Sequence, residues 1–96
     1  MIPKVSWLTA ADTLIIWWMS EHRYRLAVTA AVVATNIGLS QSHVNRRMNI
    51  LEEAGMVDRA EDVEKRGYYQ ISDLGERYII GDCSIDELEA RNPGED

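Results

Sequence analysis

The sequence predicts an α+β chain, mainly helical with one small β-hairpin, in the order α-α-α-β-β-α with a short helix after it. Three observations carry that expectation. A hydroxyl residue precedes an apolar stretch of helical period at Thr9, Ser40, Ser72 and Ser84, the position where a side-chain oxygen satisfies an orphan backbone N–H. Glycines follow such stretches at Gly38, Gly55 and Gly81, where helices stop. Between Gly55 and Ser72 the helical period gives way to alternation, with Tyr69 and Ile71 on one side and Tyr68 and Gln70 on the other.

In order, Thr9-Ala-Ala-Asp12 reads as a capping box, opening a helix to about Ser20. Leu8, Ala11, Leu14, Ile15, Ile16, Trp18 and Met19 form its core arc, leaving Trp17 on the other side. That indole either lies on a neighbouring segment or meets a second subunit. A second helix is expected from Thr29 to Asn36, and a third from Gln41 to Ala54, capped by Ser40 and closed by Gly55. Met56–Ala60 and Gly67–Ile71 then pair as strands across the charged loop 61–66. Ser72 starts a fourth helix through Ile80. Ser84-Ile-Asp-Glu87 is a second capping box, opening a short helix to about Ala90.

Ninety-six residues support one domain, read as residues 1–90 with a disordered acidic tail at 91–96. The 46% hydrophobic and 27% charged composition is that of a folded domain. The longest apolar run, Leu14 to Met19, is six residues, against the roughly 20 of a membrane span. Met1–Lys4 begins no secretory leader, so a soluble cytoplasmic protein is expected. One cysteine, Cys83, excludes an internal disulfide. His22 and His43 have no ligand spacing, so no metal or cofactor is expected. Nor does a phosphate loop or nucleophile elbow organise the Ser, His and Asp residues, and the expectation is that the chain is not an enzyme.

The formal net charge is −6, and eight of the ten bases are arginine. The charge is unevenly spread. From Glu21 to Ile50 four arginines face one acid, whereas from Asp73 to Asp96 two face eight acids. A basic stretch inside an acidic protein keeps nucleic acid open as a partner.

Ala34, then Gly38 four residues on, then Val44 six further, is the spacing of a helix-turn-helix. The alanine admits a close approach, the glycine makes the turn and the valine anchors the second helix. A Gly-ended helix and a hairpin follow, which makes the predicted fold a winged helix-turn-helix. On the third helix Val44, Met48, Ile50, Leu51 and Ala54 fall on the core side, opposite Gln41, Ser42, Asn45, Arg46, Asn49, Glu52 and Glu53. Gln and Asn match adenine and Arg matches guanine in a major groove, while Ser40 and Ser42 at the helix start suit a phosphate. The opposing reading is a plain solvated face.

Arg47 lies inside the apolar arc, so its guanidinium either reaches a phosphate beyond a packed stem or pairs with an acid such as Glu21. His43 stands beside it at the helix start and is taken with the DNA-facing set. In the wing, spanning 59–67, Lys65 and Arg66 are candidates for the minor groove or flanking phosphates. Three neighbouring acids, Glu61, Asp62 and Glu64, also fit a solvated loop. Arg23 and Arg25 either touch phosphate or are ordinary surface charge. Cys83 is either a redox sensor or an inert thiol.

The segments Trp7-Leu-Thr-Ala-Ala-Asp12, Asn36-Ile-Gly-Leu-Ser40, Val44-Asn-Arg-Arg-Met48, Leu51-Glu-Glu-Ala-Gly-Met-Val57, Tyr69-Gln-Ile-Ser-Asp-Leu-Gly75 and Tyr78-Ile-Ile-Gly81 together resemble the small haloarchaeal winged-helix regulators related to the phage phiH repressor. Leu51 through Gly75 also resembles the wing region of the wider MarR and ArsR repressor families. The resemblance implies a transcriptional regulator of double-stranded DNA, often dimeric, with Gln41–Arg47 on its recognition helix. It departs from the pattern at Arg47, where an aliphatic residue is usual, and in the acid of the wing. It also implies multi-molar salt, where the Debye length is below about 3 Å and acidic surface repels DNA little. Binding there leans on base hydrogen bonds and shape.

The expected function is therefore a sequence-specific repressor acting as a homodimer, with Trp17, Tyr78 and the 84–90 helix as candidate interface. The reading from another class is a winged helix used as a protein–protein module.

Overall fold

The computed structural model describes residues 4–22, 25–60 and 67–93. It contains α1 (Ala10–Ser20), β1 (Val28–Thr29), α2 (Ala30–Ile37), α3 (Gln41–Glu53), β2 (Val57–Arg59), β3 (Tyr68–Ile71), α4 (Asp73–Ile79) and α5 (Ile85–Ala90). The expected fold class holds, with one strand more than the alternation disclosed. β1 pairs antiparallel with β3, Val28 opposite Tyr69 and Thr29 opposite Tyr68. β2 pairs with the other edge of β3, Val57 opposite Ile71 and Arg59 opposite Tyr69. The central strand is thus β3, in a sheet of order β1-β3-β2.

Each helix start has a local chemical cause. The hydroxyls of Thr9, Thr29, Ser40, Ser72 and Ser84 accept from the backbone N–H three residues on, at Asp12, Val32, His43, Gly75 and Glu87. The Thr9 box is complete, because the Asp12 carboxylate returns to the Thr9 N–H at 2.9 Å. The Ser84 box is not: Glu87 gives its carboxylate to Arg77, at 2.7 and 3.3 Å, a stronger charged partner than a backbone amide. α2 ends at Gly38, whose φ of 75° lies in the left-handed region. From that turn the Gly38 and Leu39 N–H groups return to the Ala34 carbonyl.

One core gathers all these elements. Ile15, Ile16, Val33, Val44, Met48 and Leu51 are fully buried, as are Met56, Val57 and Leu88. Ala34 and Val44 are both inside, as the close α2–α3 approach requires. Tyr69 and Ile71 face inward together, as their alternation predicts. Two apolar expectations fail. Leu14 lies at the rim, 36% exposed, because the core-facing arc of α1 is narrower than seven residues. Tyr78 is buried, with its hydroxyl 2.6 Å from Thr13 Oγ1, and so is withdrawn from the candidate interface. No helix among the described residues is long and apolar enough to cross a membrane. Arg91 sits against the chain, its guanidinium reaching the Ala54 carbonyl at 3.4 Å; the tail expectation for residues 94–96 lies outside the described residues.

Candidate nucleic-acid interface

α3 owes its outward face to its sequence. Val44, Met48 and Leu51 at spacings of four and three fix one side in the core. Gln41, Ser42, His43, Asn45, Arg46 and Asn49 are consequently all exposed. No acid precedes Glu52 on this helix, so the positive end of its dipole is not offset by side-chain charge. The Ser40 oxygen accepts from the His43 N–H at 3.2 Å, which leaves its O–H as a donor for an outside oxygen.

Arg46 differs from the other arginines described. Arg25 is paired with Asp73 and Glu76, Arg59 with Glu52, and Arg77 with Glu87. Arg47 is paired with Asp12, and Arg91 takes a carbonyl. Arg46 has no acid or carbonyl partner among the described residues. The two readings for Arg25 are thereby decided against an open phosphate contact in this conformation, since both of its acids already hold the guanidinium.

Arg47 is corrected as a site residue. It is buried, 7% exposed, and its guanidinium lies on Asp12 in α1, not on Glu21 and not toward solvent. Nε donates to Asp12 Oδ1 at 2.8 Å and Nη2 to Oδ2 at 2.6 Å, a bidentate pair. An arginine inside an apolar arc has to find a buried anion, and Asp12 is wholly enclosed. Sequence reading missed this partner because Asp12 already had a local task in the capping box.

The far end of α3 is tied to the sheet. The Tyr69 hydroxyl donates to Asn49 Oδ1 at 3.3 Å. Arg59 Nε donates to Glu52 Oε2 at 3.0 Å, and its guanidinium lies 4.7 Å from the Tyr69 ring centre. The Asn49 oxygen keeps a second lone pair and its NH₂ group two donors for an outside partner. Lys65, Arg66 and Arg23 lie outside the described residues. Cys83 is half-buried, and burial pushes its thiol pKa up, the opposite of what a reactive thiolate needs. Among the described residues no group of His, Cys, Asp or Glu is placed to hold a metal ion.

Comparison with known proteins adds to this geometry. The model of the winged helix-turn-helix phage repressor family matches residues 1–91. The chain belongs to that family. It is also 30% identical to the repressor protein of Halobacterium phage phiH over 86 residues, covering 90% of this chain and 94% of that repressor. No solved structure matches. Membership in the family places the chain among repressors and joins its two-helix motif and three-stranded sheet as parts of one winged helix, a regulator's architecture.

Proposed function

We propose that the protein is a sequence-specific DNA-binding transcriptional repressor of a haloarchaeal or halophage system, acting in the cytoplasm as a homodimer on a palindromic site. The observation that carries this is Arg46: an exposed guanidinium with no acid beside it among the described residues, on the face of α3 that also shows Gln41, Ser42 and Asn45. In a chain of net charge −6, where Arg25, Arg47, Arg59 and Arg77 are paired with acids and Arg91 takes a carbonyl, Arg46 suits an anion or an acceptor from outside. In the major groove Arg46 pairs with guanine, Gln41 and Asn45 read neighbouring base edges, and Ser40, Ser42, His43 and Asn49 hold phosphates. Lys65 and Arg66 extend the contact to the flanking groove. A second copy doubles the interface, with the groove lined by Trp17, Ser20, Glu21, Glu76, Ile79 and Ile80 as its seat. None of those residues belongs to α3, so both recognition helices stay open.

The test is selection from a random duplex pool by the purified protein in multi-molar KCl, followed by fluorescence anisotropy. A palindromic consensus bound more tightly than scrambled duplex, with the preference lost in Arg46→Ala, is the expected result. Enrichment of no sequence would overturn the reading and leave a protein partner as the target of this face.

A further inference from the structure

We propose that Arg47 is a positioning residue that sets the rotation of α3, and so the aim of its reading face, and that Trp7 carries this hold on to α5. The inference rests on the DNA-binding reading above. Val44, Met48 and Leu51 seat α3 by apolar packing, which is non-directional, and Asn49 and Glu52 tie its far end to Tyr69 and Arg59 by exposed or long hydrogen bonds. The guanidinium of Arg47 is directional. It is planar, makes two parallel bonds to Asp12, and sends Nη2 also to the Trp7 carbonyl at 3.3 Å. Asp12 is in turn held by the Thr9 N–H. Consecutive residues on a helix point about 100° apart, so fixing Arg47 inward fixes where Arg46 points outward.

The anchor reaches beyond α1. The Trp7 indole N–H donates to the Leu88 carbonyl at 2.8 Å. Beside it, Ser6 gives its N–H and O–H to the Glu89 carboxylate at 2.8 and 2.6 Å. One residue therefore touches the recognition helix with its backbone and α5 with its side chain. A buried ion pair where an aliphatic residue would pack is a poor means of gaining stability, since apolar replacements often do as well. What the pair supplies that a Met–Leu contact cannot is a fixed angle, and readout of base edges tolerates only small angular error.

The test measures the affinity ratio of selected palindrome to scrambled duplex for the wild type, Arg47→Lys, the double variant Arg47→Met/Asp12→Leu, and Trp7→Phe, with thermal unfolding of each. Arg47→Lys and the double variant are expected to fold and to bind scrambled duplex as the wild type does. Their ratio is expected to fall about tenfold, the loss of roughly one bidentate base contact. Trp7→Phe keeps the ring and removes only the N–H donor; a smaller fall is expected there, and it is readable even where an α3 variant does not fold. Folded variants whose ratios stay within about twofold of the wild type would reduce Arg47 to a packing role and overturn the proposal. A wild type without any preference would instead sink the DNA-binding reading, and this one with it.

Discussion

Gly75 of α4 faces the carbonyl of Met56 so closely that a β-carbon at that position would lie 2.4 Å from the oxygen and 2.9 Å from Ile71 Cγ1. The obstacle is backbone, which cannot swing aside as a long side chain would. It also shows how α4 is seated: the Ser72 N–H returns to the Met56 carbonyl, and the Ser72 hydroxyl donates to Gly55 at 2.6 Å. Gly75→Ala should destabilise the protein by about 3 kcal/mol, the upper part of the overpacking range, although alanine is the better helix former. Urea unfolding checks this, and an unchanged or raised midpoint would refute the contact.

The Arg47–Asp12 pair predicts strong non-additivity. Arg47→Met alone strands a buried carboxylate and should cost about 3–5 kcal/mol. Adding Asp12→Leu removes the stranded charge and should restore most of that loss, less about 1 kcal/mol for the Asp12 half of the Thr9 box. A double-mutant cycle by chemical denaturation reads the coupling. Single losses that simply add would mean the two side chains do not share a bond.

Acid should weaken the protein slightly through its surface pairs. Hydrogen bonding to Arg25 lowers the Asp73 pKa, Arg77 does the same for Glu87, and the Ser6 hydroxyl and N–H for Glu89. A carboxylate whose folded pKa lies below its unfolded value stabilises above the unfolded value, and that stability disappears as the pH falls through the folded one. The loss should therefore begin near pH 4, the ordinary carboxylate range, and continue below it. These groups are open to solvent, so the effect is small and salt-sensitive. In Arg25→Ala the Asp73 resonance should titrate closer to its ordinary value by NMR; an unmoved midpoint would exclude Arg25 as the cause.

Trp17 and Ile80 are 46% and 70% exposed on one groove between α1 and α4. Sedimentation of the wild type should show a dimer, and Trp17→Ser/Ile80→Ser a folded monomer. Palindrome affinity should fall with the loss of the second half-site while Arg46 remains competent. A dimer that survives both substitutions would place the interface elsewhere, with Ile85 of α5, 46% exposed, as the next apolar residue to change.

The helices were legible in the sequence because their causes are local: a hydroxyl three residues before the N–H it caps, and a glycine at the turn. The outward face of α3 was legible for the same reason, since Val44, Met48 and Leu51 define its inward side. What escaped is long-range. β1 is two residues long, and what makes Val28 and Thr29 a strand is β3, some 40 residues away. Arg47 stood out as a charge in an apolar arc, but its partner lies 35 residues upstream. Tyr78 read as surface because α4 carries too short a pattern to show which side faces α1.

The five helix starts share one more property, that each cap is a neutral hydroxyl. A hydroxyl has no proton to lose near neutrality and no charge for counter-ions to shield. The secondary structure is therefore seeded by contacts that brine and mild acid leave alone. Those conditions act instead on the exposed ion pairs, such as Arg77–Glu87 between α4 and α5, so salt and acid tune how helices are joined more than how they start.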